Sequence, residues 1–221
     1  MPHDAHNAFR TLRQTRTGKL HPYPTVYFLI VTDARETEKN YLNGIKKALP
    51  ENLQNRVSLK IVHEKKPANL VEACLRFKNT EPQYNSQMWI VLDCDEVLEF
   101  DVIIEMAGNN DIHVAWSNPC IETWFSAYFE SIHSSIGSKQ CIDEFKDIFK
   151  KKTGKQYLKN DQDIYRHLME YGNEVKAVKR AEQKRKEFGE MGVVQPSKMC
   201  PATSVDRLVQ AIRRCLEPRD H

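Results

Sequence analysis

The sequence predicts an α/β protein built on a mostly parallel sheet with helices on both faces. Residues 25–31 (Thr-Val-Tyr-Phe-Leu-Ile-Val) and 88–92 (Met-Trp-Ile-Val-Leu) are continuous apolar runs, the pattern of strands buried on both faces. Segments of helical periodicity lie between the strand signals, which is the alternation expected of parallel strands joined by crossover helices. The strand signals stop near residue 139, and the remainder reads as helices.

The elements follow in order. After the first strand, Tyr41, Leu42, Ile45 and Leu49 fall on one helical face that Pro50 ends. Residues 57–62 alternate like a second strand, and Leu70, Val71, Cys74 and Phe77 give the next helix its apolar face. The third strand, 88–92, leads to a helix over 97–107 and a fourth strand over 112–116. Asn118-Pro119 breaks that strand, and an aromatic helix with Trp124, Phe125, Tyr128 and Phe129 follows. Ile142, Phe145 and Phe149, then Ile164, Tyr165 and Leu168, mark two more helices. A long charged helix runs to about 188, and Thr203 or Ser204 is placed to cap a last one carrying Val205, Leu208, Ile212 and Leu216. Residues 189–201 read as a mobile loop. The organisation is therefore a basic N-terminal segment (1–24), an α/β core (25–135) and a helical C-terminal region (136–221).

Length and composition exclude several classes. A chain of 221 residues with 40% hydrophobic and 29% charged residues buries a core without staples. Six cysteines without a CxxC pair indicate neither a zinc site nor a disulfide framework, and the thiols are expected to be reduced. No apolar run approaches the roughly 20 residues that span a bilayer, so a cytoplasmic protein with no membrane partner is expected. The net charge of +3 is small, but basic residues cluster at Arg10, Arg13, Arg16 and Lys19 and again between Lys176 and Lys186, where they could meet phosphate. No Gly-rich phosphate loop, GxSxG or HExxH occurs, which removes support for P-loop, serine-hydrolase and zinc-protease chemistry and leaves phosphoryl transfer weak.

Functional groups of an open parallel sheet gather beyond the carboxyl ends of its strands. Three acidic or polar clusters lie there: Asp33 to Tyr41 after the first strand, Asp93-Cys94-Asp95-Glu96 after the third, and Ser117 to Glu122 after the fourth. Asp93 and Asp95, one residue apart at a strand end, are expected to point to one side and to share a hard cation such as magnesium. Asp33 would face them if strands one and three are neighbours. Helix capping is the competing explanation for each cluster, because acidic side chains suit a helix N-terminus; Glu38, Glu96 and Glu122 all fit it. His63, His113 and His167 have no partner spacing and read as surface or core residues.

At these residues the chain resembles the RloB-like family. The likeness rests on the first strand leading to Thr37-Glu38 and Tyr41, on Asp93-x-Asp95, on Ser117-Asn118-Pro119 with Glu122 and Trp124, on Tyr157 to Lys159 and Asp163-Ile164-Tyr165, and on Pro201-Ala202-Thr203-Ser204-Val205 with Leu208-Val209. The resemblance implies a Toprim-like core, a glutamate acid or base after the first strand, a magnesium-holding Asp-x-Asp, and a place in prokaryotic phage defence. It makes Asp33, Asp93 and Asp95 the metal ligands, with Mg2+ or Mn2+ as cofactor, and Asp33, Glu38 and Glu122 the catalytic candidates. Arg35, Lys39, Asn118 and Lys159 flank these clusters and are the expected nucleic-acid contacts.

One departure stands out: the family's Glu-Gly after the first strand is Asp33-Ala34 here. Either Asp33 reaches the metal through a shifted loop, or Glu38 takes the acid–base role, or the site only binds. The expected function is a metal-dependent nuclease acting on RNA, transfer RNA among the candidates, or on DNA, with RNA favoured because the resemblance extends to effectors that act there. The alternative is a non-catalytic subunit that binds nucleic acid or a partner ATPase through a degenerate site.

Overall fold

The computed structural model describes residues 26–53, 57–80, 86–95, 97–133 and 137–217, so the basic segment 1–24 and Glu96 lie outside the described residues. Strand β1 (Val26–Thr32) leads through α1 (Thr37–Lys47) to β2 (Val57–His63), and α2 (Leu70–Thr80) returns the chain to β3 (Ser86–Asp93). Helix α3 (Phe100–Gly108) then precedes β4 (His113–Asn118) and α4 (Glu122–Ala127). The C-terminal region comprises α5 (Ser138–Thr153), α6 (Ile164–Tyr171), α7 (Glu174–Glu190), a two-residue strand β5 (Ala202–Thr203) and α8 (Val205–Leu216). The α/β architecture with a mostly parallel sheet is the one the sequence predicts.

The sheet order is β2-β1-β3-β4-β5. The first four strands are parallel, with Val31 paired to Ile90 and Asp93 to Ser117. Alternation splits each central strand between two cores. Phe28, Ile30, Trp89 and Val91 face one cluster with Tyr41, Trp124, Phe145 and Leu208. Val31, Met88, Ile90 and Leu92 face the other, with Leu70, Cys74, Phe100 and Ile103. Helices α2 and α3 thus cover one face, and α1 with the C-terminal helices covers the other, so both faces are dry and the strands read as unbroken apolar runs.

The C-terminal region completes this sheet, which its helical sequence pattern does not disclose. β5 pairs antiparallel with β4 through Ser117–Thr203 and Asn118–Ala202. Ser204 stands at the N-cap of α8, but its hydroxyl does not cap; it accepts from the Trp116 N–H at 2.9 Å and donates to the Val114 carbonyl at 3.2 Å. The 189–201 segment, read from sequence as a mobile loop, is tied down: Asn118 donates to the carbonyls of Pro196 and Ser197, both at 3.0 Å, and Asp101 accepts from the Ser197 N–H at 3.0 Å. All six cysteines are free thiols.

A buried polar relay crosses four helices. The Trp124 Nε1–H donates to the Tyr41 hydroxyl at 2.8 Å, and Tyr128 donates to Glu174 at 3.2 Å. Tyr41 and Tyr128 are 3.1 Å apart, and because the single Tyr128 proton goes to Glu174, Tyr41 is the donor between them. Arg213 closes the relay on Glu174 at 2.8 Å. Close approach matters at Gly44, where an added Cβ would lie 2.3 Å from the Tyr165 Cβ; only glycine lets α1 and α6 pack this tightly.

Candidate active site

The chain leaves β1 towards β2 on one side and reaches β3 on the other, so the crevice at the carboxyl ends of β1 and β3 is the topological switch point of the sheet. Four carboxylates converge there from three loops. Asp33 follows β1, Glu38 sits in the first turn of α1, Asp93 ends β3, and Glu122 opens α4. Glu38 and Glu122 are buried, at 8% and 1% exposure.

Their electrostatics are those of crowded like charges. Burial, reinforced by the charges of Glu122 and Asp33, pushes the Glu38 carboxyl up to about 7, while its own backbone N–H and the Asp93 carboxyl pull it back. Asp93 is raised well above the ordinary aspartate range by burial and then by the charges of Glu38, Glu122 and Asp33. Its Oδ2 accepts the Ile121 N–H at 3.0 Å, which opposes the rise. Its Oδ1 is buried with no hydrogen-bond partner. Glu38 and Asp93 therefore form an acidic pair whose charge is disfavoured by burial and by the neighbouring carboxylates, and which a cation would stabilise. Asp33, also raised by burial, is held lower by its own backbone N–H and by His63.

The walls of the crevice come from distant sequence. Tyr157 donates its hydroxyl to Glu122 Oε1 at 2.8 Å, and the Thr37 hydroxyl donates to the Lys159 carbonyl at 2.9 Å. Phe145 packs edge-on against the Tyr157 ring at 4.7 Å and fixes it. Both ends of this 155–161 loop are pinned on α6: His167 lies 2.8 Å from the Lys155 amine and 3.1 Å from Asp161. A lysine ammonium donates only, so His167 accepts at Nε2 and donates from Nδ1.

Of the residues expected from sequence, Asp33, Glu38, Asp93 and Glu122 come together. Asp95 does not join them: β3 ends at Asp93, strand alternation stops there, and Asp95 is exposed in a turn whose N–H donates to the Pro119 carbonyl at 3.1 Å. Arg35, Lys39 and Lys159 are exposed at the rim. Asn118 is buried, and its amide is engaged by the 196–197 carbonyls rather than facing outward. In the basic run, Arg180 donates to the Ala127 carbonyl at 2.6 Å and Arg185 binds Asp206, leaving Lys176, Lys179 and Lys186 exposed.

Sequence reasoning missed the roles of Tyr157 and His63. Tyr157 stood in a family-like motif, but its partner lies 35 residues away. His63 is the register partner of Thr32, and its Nε2 lies 3.0 Å from the Asp33 carbonyl; no local spacing announces that contact.

Among the described residues, no group of three or more His, Cys, Asp or Glu side chains is arranged to hold a metal ion. Magnesium does not require one, since one or two carboxylates with waters and substrate phosphates suffice. The all-oxygen donor set and the orphaned Asp93 Oδ1 fit such an ion, with Asp93 as its first ligand and Asp33 or Glu38 as the second. Among the described residues no helix is long and apolar enough to cross a membrane.

The model of a family described as RloB-like protein matches residues 28–212 of the chain. No curated protein and no solved structure matched the chain.

Proposed function

The chain belongs to the RloB-like family, and from that premise and the carboxylate geometry we propose that it is a metal-dependent nuclease, acting on RNA in preference to DNA, in prokaryotic anti-phage defence. The observation that carries this reading is the Glu38–Asp93 pair at the switch point, Glu38 buried and Asp93 half-buried, beside Glu122 and Asp33. A carboxyl near 7 is matched to general acid–base work at neutral pH. The substitution of Asp33-Ala34 for Glu-Gly therefore leaves the acid–base role to Glu38, in the first turn of α1, and Asp33 to supply charge.

A magnesium or manganese ion held by Asp93 would supply positive charge to the phosphoryl oxygens and make a nearby water more acidic. The chain's own groups do the rest. Glu38 takes the proton of the attacking water as its oxygen bonds to phosphorus; the ester P–O bond breaks, the leaving oxygen takes a proton from solvent, and Glu38 returns its own to solvent. Asp93 is oriented by the Ile121 N–H, and Glu122 is oriented by Tyr157. Arg35, Lys39 and Lys159 stand at the rim, where a phosphate backbone would pass.

The test is cleavage of total RNA and of single- and double-stranded DNA by wild type, Asp93→Ala and Glu38→Gln, with magnesium, manganese or chelator. Metal-dependent cleavage, lost in Asp93→Ala and reduced about 10²–10⁴-fold in Glu38→Gln, is the expected result. Binding that persists in chelator, with no turnover under any condition, would instead identify a non-catalytic subunit that engages nucleic acid or a partner ATPase.

A further inference from the structure

Helices α7 and α8 run antiparallel and are cross-linked by three side-chain pairs. Glu174 at the start of α7 meets Arg213 near the end of α8 at 2.8 Å. Glu182 accepts from Gln210 at 2.9 Å in the middle. Arg185 grips Asp206 at the start of α8 through two bonds, of 2.6 and 2.8 Å, and also reaches the Thr203 carbonyl. Such a ladder fixes the separation of the helices along their shared length.

Between them lies an open groove of about 510 Å³, lined by Glu182, Arg185 and Lys186 from α7 and by Arg207, Gln210 and Arg214 from α8. The lining is set by helical periodicity: 182, 185 and 186, like 207, 210 and 214, recur at steps of three and four and so share a face. Four of the six side chains are cationic and one is anionic. Arg185 is neutralised by Asp206, and Lys186 has only the exposed Glu190 at 3.7 Å. Arg207 and Arg214 are exposed, about 10 Å apart along the helix at 1.5 Å per residue. Desolvation and then the nearby Arg185 charge press the Arg207 pKa downward, while Asp206 and Glu182 press it upward.

We propose that this groove, with Arg207 and Arg214 on one wall and Lys186 on the other, binds the phosphodiester backbone of a nucleic-acid strand. Guanidinium groups present planar forked donors that match phosphate oxygens, and the cross-linked helices fix the spacing of the backbone positions that carry them. None of the four clustered carboxylates lies on α7 or α8, so this is a second surface, distinct from the crevice. The inference shares the nucleic-acid partner of the proposed function but does not depend on turnover.

The test is fluorescence anisotropy with a 5′-labelled single-stranded RNA of about 20 nucleotides, in chelator, across a salt series; single-strand binding loses about 0.7 in log–log salt slope per phosphate contact removed. Arg207→Gln/Arg214→Gln is expected to weaken binding at least about tenfold and to lower the slope by about 1.4, and Lys186→Gln alone by about 0.7. Lys46→Gln/Lys47→Gln removes the same charge from the exposed far end of α1 and should leave the slope unchanged. Unchanged binding in the arginine variant overturns the proposal, as does an equal loss in the α1 control. Because the assay reads binding alone, a protein that cleaves nothing can still pass it, and a nuclease can still fail it.

Discussion

Tyr157 donates a 2.8 Å hydrogen bond to Glu122, so a residue of the C-terminal half holds a carboxylate of the sheet's crevice in place. The phenol is suited to that task because burial, then the Glu122 charge, pushes its pKa upward and keeps it protonated. Tyr157→Phe leaves a buried carboxylate oxygen without its donor and should cost about 1–3 kcal/mol. Thermal unfolding measures this, and a double-mutant cycle with Glu122→Gln should show coupling above about 0.5 kcal/mol. Strict additivity would mean that the contact does not matter in solution.

The pH dependence of stability has a definite sign. The folded-state pKa of Glu38, about 7, lies above the ordinary 4.5. Between those values the folded protein holds a proton that the unfolded chain has released, so stability from this group is full below 4.5 and is lost as pH rises through 7. Asp93 and Asp33 are raised as well and act in the same direction. The melting temperature should therefore fall between about pH 5 and about pH 8, and Glu38→Gln should flatten that fall and melt higher than wild type at the upper end. Parallel curves for the two proteins would contradict the raised Glu38 carboxyl.

Gly44→Ala is a test of helix packing against helix propensity. Alanine gains about 1 kcal/mol in a helix interior, but its Cβ would sit 2.3 Å from that of Tyr165. Overpacking of this kind costs typically about 1–3 kcal/mol, so urea unfolding should show net destabilisation. A stabilised variant would mean that α1 and α6 separate easily.

Arg185 and Asp206 form the most buried ion pair among the described residues, with side chains 11% and 0% exposed. Removing one partner strands the other, so Arg185→Met should lower stability by about 3–5 kcal/mol. Lys186→Met, one residue along on an exposed side chain, should change stability by less than about 0.5 kcal/mol. Equal effects of the two in chemical denaturation would remove the clamp from the account of the fold.

The fold was legible where burial leaves a periodic trace. β1 and β3 are covered on both faces and read as apolar runs, and α1 shows Tyr41, Leu42 and Ile45 at helical spacing. β5 left no trace: Ala202 and Thr203 become a strand only because Ser117 and Asn118 offer them an edge. The site was legible in part for the same reason. Asp33, Glu38, Asp93 and Glu122 each follow a strand, and topology brings strand ends together. Asp95 was grouped with Asp93 by an alternation that ends with the strand, and Asn118 looked available because its acceptors lie more than 70 residues away.

The loop that carries Tyr157 also imposes a sequence in time. A ribosome adds about 5–20 residues per second, so on the order of ten seconds separates the emergence of Glu38 from that of Tyr157, and Thr203 emerges later still. Until then Glu122 lacks its hydroxyl donor, Thr37 lacks the Lys159 carbonyl, and β4 has a bare edge. The acidic crevice is thus finished only after residues 157–159 have emerged, and a growing chain carries its carboxylates unassembled past the translation machinery and the RNA that surrounds it.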